Sequence, residues 1–211
     1  MALLTADREL VPDDEHGYRK RIRDVFGRYG ISLPTKGCDS EGCWVPCAYG
    51  RELEYARSNF GELTRSKDEM FRFIWENRER LGVNSRAYAE VLTIEPAVRT
   101  GPDGILLHET ICQYYQRVDI FGAEFESLLG AARPEGLSSR DRYTAFGGGV
   151  LVFDQYGQVK YHIANPIDDP ERQQARARYL IDTGQVGQSG SPSRMRFALD
   201  HLERMERGVP Q

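Results

Sequence analysis

Several things are missing from this chain, and each absence narrows what it does. No apolar run approaches the roughly 20 residues that a membrane-spanning helix needs. The opening stretch, Met1 to Arg8, carries neither the basic region nor the apolar core of a secretory leader. These two features set the expectation of a soluble, cytoplasmic protein with no membrane partner, whose four cysteines stay reduced. The glycine-rich nucleotide loop, the P-loop, the HExxH zinc helix, the GxSxG elbow and the EF-hand loop are all lacking, which removes the most recognisable enzyme classes. No CxxC pair, internal repeat or sustained heptad occurs. Lysine is scarce: Lys20, Lys36, Lys67 and Lys160 are the only ones among 28 basic side chains, and the other 24 are arginine. The net charge of −4 offers no general attraction to a polyanion, so a nucleic-acid partner is not expected.

What the chain does have is turn chemistry between extended runs. Tyr88–Thr100 and Gly104–Gln116 are joined by Gly101-Pro102-Asp103-Gly104, where proline presets φ and glycine takes the left-handed position. A second pair, Val150–Phe153 and Val159–Ile163, flanks Asp154-Gln155-Tyr156-Gly157-Gln158. Two hairpins predict an α+β fold, an antiparallel sheet of about four strands packed with N-terminal and C-terminal helices. If Tyr156-Gly157 is the loop, Leu151 faces His162, Val152 faces Tyr161 and Asp154 faces Val159, which puts Asp154 on the opposite face from His162. Gly147-Gly148-Gly149 precedes a strand rather than following one. It therefore reads as a bend or a close backbone approach, not a phosphate loop.

Helices are expected on both sides of the hairpins. Asp13 and Asp14 precede the stripe Tyr18, Ile22, Val25, Phe26, Tyr29, closed by Gly30, and the outer face carries Arg19, Lys20, Arg21, Arg23 and Arg28. Tyr49, Leu53, Ala56 and Phe60 have helical spacing. Ser66-Lys67-Asp68-Glu69 is a capping box opening the apolar run Met70 to Trp75. A short helix ends at Gly130, residues 131–145 look irregular, and Asp169-Pro170 starts a helix running to about Asp182. The body is read as one domain over residues 1–183. Residues 184–193 follow as a flexible linker and residues 194–211 as a C-terminal amphipathic helix with the stripe Met195, Ala198, Leu199, Leu202, Met205.

Two constellations could carry chemistry. Cys38, Cys43 and Cys47 fall within ten residues, and thiolates on one loop can be wrapped around zinc. The same loop permits a nucleophile: Cys43 or Cys47 at the start of a helix would have a lowered pKa, with His162 as the base. Neither set converges on a recognisable site. The leading expectation is thus a non-catalytic accessory or interaction protein that binds another macromolecule, with a protein as partner, through its sheet face, arginine-bearing helix or last helix. A cysteine-dependent hydrolase using Cys43 or Cys47 with His162, and a zinc-stabilised protein using Cys38, Cys43 and Cys47, are the alternatives. The oligomeric state is not legible.

Overall fold

Extended runs joined by turns that suit a tight reversal produce one antiparallel sheet of four strands in the order β1-β2-β3-β4. The computed structural model describes residues 1–33, 37–101 and 103–186. Pro102, and the 194–211 helix with most of the 184–193 linker, lie outside the described residues. The strands are β1 (Tyr88–Thr100), β2 (Leu106–Phe121), β3 (Arg142–Phe153) and β4 (Val159–Asn165). The helices are α1 (Ala2–Leu10), α2 (Tyr18–Arg28), α3 (Phe60–Leu63), α4 (Lys67–Glu76), α5 (Phe125–Leu129) and α6 (Pro170–Asp182). Together they make an α+β fold.

The second hairpin keeps the expected register over most of its length, with Leu151 opposite His162 and Val152 opposite Tyr161. It departs at the turn, where a bulge sets Phe153, not Asp154, opposite Val159. The Asp154 carboxylate is occupied within the turn itself, accepting the Tyr156 and Gln158 N–H groups at 2.9 Å each. Residues 131–145 are not irregular throughout, because β3 already begins at Arg142.

Local signals account for the helices that form. The Ser66 hydroxyl accepts the Glu69 N–H and starts α4, whose Met70, Phe73 and Ile74 are buried. Asp169 caps α6 with Pro170 in its first turn, and Gly130 takes φ 64° at the end of α5. The helix expected over Tyr49–Phe60 is replaced by a single 3-10 turn, Gly50–Glu52, and extended chain. The cause is close packing rather than propensity: a Cβ at Gly50 would strike the Val159 carbonyl. The Tyr55 hydroxyl meanwhile donates to the Gly50 carbonyl and accepts the Val159 N–H.

The chain divides into two compact units. The first comprises Met1–Gln116 and Gly147–Pro166. Its core joins Leu53, Leu63, Met70, Phe73, Ile74, Leu81, Val91, Cys112, Tyr114, Leu151, Phe153 and Val159. The second comprises Arg117–Phe146 and the chain from Ile167 onward. There Phe125 and Tyr143 pack edge to face, and buried Gln173 joins the Tyr143 hydroxyl at 2.8 Å to the carbonyls of Ile167 and Phe146. A fully buried amide is tolerable because each of its polar atoms has a partner.

Candidate functional site

His162, on β4, points into the first unit between two tyrosines. Its Nδ1 lies 2.6 Å from the Tyr49 hydroxyl and its Nε2 lies 2.9 Å from the Tyr114 hydroxyl. A neutral imidazole has one N–H donor and one acceptor nitrogen, so one tyrosine donates to the ring while the other accepts from it. Burial disfavours the imidazolium and lowers the His162 pKa to about 4. Burial also pushes the Tyr49 hydroxyl up to about 12, and raises Tyr114 as well. The glycine triplet makes this arrangement possible: a Cβ on Gly149 would stand 2.8 Å from the Tyr114 phenol oxygen and 2.9 Å from the Ile163 carbonyl. Gly148, at φ 132°, lies against the Tyr114 main chain. The close backbone approach expected of Gly147–Gly149 is what the fold uses.

The cysteine loop is closed on itself. The Asp39 N–H donates to the Cys43 carbonyl at 2.9 Å, and the Asp39 carboxylate accepts the Glu41 and Cys43 N–H groups at 2.9 and 3.0 Å. Cys38 and Trp44 form an antiparallel bridge across this turn. Cys43 is buried, Cys38 and Cys47 are half-buried, and none of the three is in a disulfide. Among the described residues no group of three or more His, Cys, Asp or Glu side chains is placed to hold a metal ion. Loop 38–47 thus does not wrap its sulfurs into a tetrahedron.

Nor does a helix begin at Cys43 or Cys47, so the dipole that would favour a thiolate there is missing. Burial raises the pKa of Cys43, with Arg8 opposing it only partly. Burial raises Cys47 too, against hydrogen bonds from Tyr49 and the Gly50 N–H. Cys112, in the core, is pushed up to about 12. Tyr49 stands between Cys47 and His162 and hydrogen-bonds to both. Both nitrogens of the ring are already bonded to tyrosine hydroxyls.

An ion cluster joining α1 to the sheet carries no signature in the local sequence. Arg99 on β1 grips Glu109 on β2 with its Nε and Nη2 at 3.2 and 3.0 Å, and also pairs with Glu9 of α1. Lys160 reaches Glu109 at 3.0 Å and also Glu9, and the Tyr161 hydroxyl donates to Glu9. Burial opposes ionisation of Glu109, yet the Arg99 and Lys160 hydrogen bonds hold its pKa below the ordinary carboxylate value. Two carboxylates here balance two cations, so the cluster is internally neutral and fastens α1 to the sheet.

The largest departure from expectation is at α2. Of the stripe Tyr18, Ile22, Val25, Phe26, Tyr29, only Ile22 is half-buried: Tyr18 is 55 % exposed, Val25 41 %, Phe26 40 % and Tyr29 80 %. The residue that α2 buries is Arg19, 3 % exposed. Its guanidinium donates to Asp7 at 3.0 Å and to the carbonyls of Val11 and Pro12 at 2.9 Å each. Arg23 donates to the Ser40 carbonyl at 2.7 Å. The helix is therefore seated by its arginines with Ile22 half-buried, while Tyr18, Val25, Phe26 and Tyr29 are exposed and are followed by exposed Ile31 and Leu33. A cavity of about 220 Å³ lies elsewhere in this unit, along β4 from Tyr161 to Asn165, walled by Trp44, Val45 and Met1.

Comparison with family models, with curated proteins and with solved structures gives no match to this chain.

Proposed function

We propose that this chain is a non-catalytic interaction protein that docks a partner protein on the outward face of α2. The observation that carries the reading is the burial pattern of that helix: Tyr18, Val25, Phe26 and Tyr29 share an arc of about 100° and are exposed, while Arg19 is the residue it buries. Contiguous exposed apolar patches on soluble proteins mark interaction sites, and tyrosine and arginine are the residues that dominate interface energies.

Charge identifies the partner's chemistry. Residues 18–28 hold five basic side chains against one acidic, Asp24, on a chain of net charge −4. Pairing α2 with α2 of a second copy would oppose like charges. A partner helix whose apolar stripe is flanked by Asp or Glu would instead meet Arg21 and Arg28 at the edge of the arc. The surroundings of the candidate catalytic groups support the same reading, since the His162 ring has both nitrogens engaged and burial raises the pKa of both Cys43 and Cys47.

The test places a photo-crosslinking side chain at Val25 in the full chain and activates it in the source cells. One protein with an acidic amphipathic helix is the expected product, lost in Phe26→Asp and retained in Phe26→Leu. Crosslinks no more specific than those from an exposed control position such as Glu62 would refute the reading. So would binding of the chain to phosphatidylglycerol vesicles, but not phosphatidylcholine vesicles, that Phe26→Asp abolishes.

A further inference from the structure

The outer edge of β4 has features that neither the fold nor the α2 reading uses. β4 is the last strand of the sheet, so one of its edges pairs with β3 and the other has no strand beside it among the described residues. Ile163 is opposite Val150, and its carbonyl lies 2.9 Å from where a Gly149 Cβ would be, so it points toward β3. Main-chain groups alternate along a strand, and His162 and Ala164 therefore turn their N–H and C=O groups outward. Among the described residues the main-chain bond made on this side is Cys47 N–H to the Lys160 carbonyl, at 2.8 Å. One residue further on, the edge opens into the 220 Å³ cavity walled by Trp44 and Val45.

Exposed edges are a liability, and proteins usually blunt them with charge or proline. The opposite edge strand, β1, does so: it carries Glu90, Glu95, Pro96 and Arg99. The stretch Tyr161-His162-Ile163-Ala164-Asn165 has neither a formal charge nor a proline, although Ala164 and Asn165 are exposed.

We propose that β4 accepts an extended segment of another protein as an added strand beside residues 161–165. Its main chain would pair with the outward groups of His162 and Ala164, and one uncharged, apolar side chain would enter the cavity between Trp44 and Val45. The occupant is a single strand rather than a second copy, because a copy's β4 would bring its own Trp44–Val45 wall against this one. The inference is independent of the α2 reading and concerns a different surface.

A display library of random seven-residue peptides, selected on the full chain, tests it. Enriched peptides should share an apolar position, and on binding should slow amide hydrogen exchange at His162 and Ala164. Ala164→Pro removes one outward N–H, and affinity should fall about tenfold or more. Val45→Asp, which charges the cavity wall without touching the strand, should weaken binding as well, and it keeps the test valid if the proline variant unfolds. Phe26→Asp on α2 should leave peptide affinity unchanged. The proposal is overturned if no peptide enriches, if exchange at His162 and Ala164 is unaffected, or if light scattering shows a dimer that Ala164→Pro dissociates.

Discussion

The half-buried His162 makes this protein's stability depend on pH between about 6.5 and 4. Its pKa is about 4 in the fold against 6.5 for a free side chain. Below pH 6.5 the unfolded chain binds a proton there that the native state refuses, so protonation favours unfolding. Stability is full above pH 6.5, falls by about 1.4 kcal/mol per pH unit as pH drops toward 4, and levels off once both states are protonated. The 2.5-unit difference corresponds to roughly 3 kcal/mol, a large share of the 5–15 kcal/mol typical of a domain. The cause is desolvation: either tyrosine hydroxyl can rotate to accept from an imidazolium, so bond loss is not what opposes the charge. Urea denaturation between pH 7.5 and 4.5 should show this slope in the wild type, and His162→Gln should flatten it. A ring titration followed by NMR with a midpoint near 6.5 in the folded protein would refute the argument, as would an unchanged slope in the glutamine variant.

Three further outcomes follow from the same geometry. Gly149→Ala should cost roughly 2–3 kcal/mol in chemical denaturation and raise the His162 midpoint, because the added methyl must displace the Tyr114 phenol or part β3 from β4. A variant as stable as wild type would show that the tyrosine has room to move. Arg19→Ala should cost about 3 kcal/mol and speed amide exchange across residues 11–23, since Asp7 and two main-chain carbonyls lose their donor. Arg19→Lys should not rescue it, as an ammonium cannot reproduce the forked contacts. At pH 7.5 a disulfide reagent should modify Cys43, Cys47 and Cys112 at least about tenfold more slowly than in urea-unfolded protein. Rapid modification of native Cys47 would revive the case for a reactive thiol.

How much of this was legible in the sequence depends on the range of the interaction. The hairpins were, because period-two alternation and turn chemistry are local, and the Leu151–His162 pairing followed from them. The caps of α4 and α6 were legible for the same reason. The Tyr49–Phe60 segment is not legible because helical spacing of apolar residues also arises when each one packs separately. Tyr49 serves His162, Leu53 enters the core, and Tyr55 bridges Gly50 and Val159. The His162 site is half legible: the histidine stands out as a candidate base, but its partners lie 113 and 48 residues away and carry no local signature. The Glu9–Arg99–Glu109–Lys160 cluster is equally non-local.

At α2 the spacing of Tyr18, Ile22, Val25, Phe26 and Tyr29 fixes a helix and its apolar arc, and both are present. It does not fix which way the arc turns. That is decided by what the arginines flanking the arc can bind, and here Arg19 finds Asp7 and the carbonyls closing α1, while Arg23 finds Ser40. Rotating the helix to bury Phe26 and Val25 would gain about 2 kcal/mol for each apolar side chain covered. It would also strip Arg19 of its partners and expose the cations to the apolar interior, at a cost of several kcal/mol. The orientation follows from that difference, and it leaves exposed apolar area on α2 that a partner can cover without disturbing how the helix is seated.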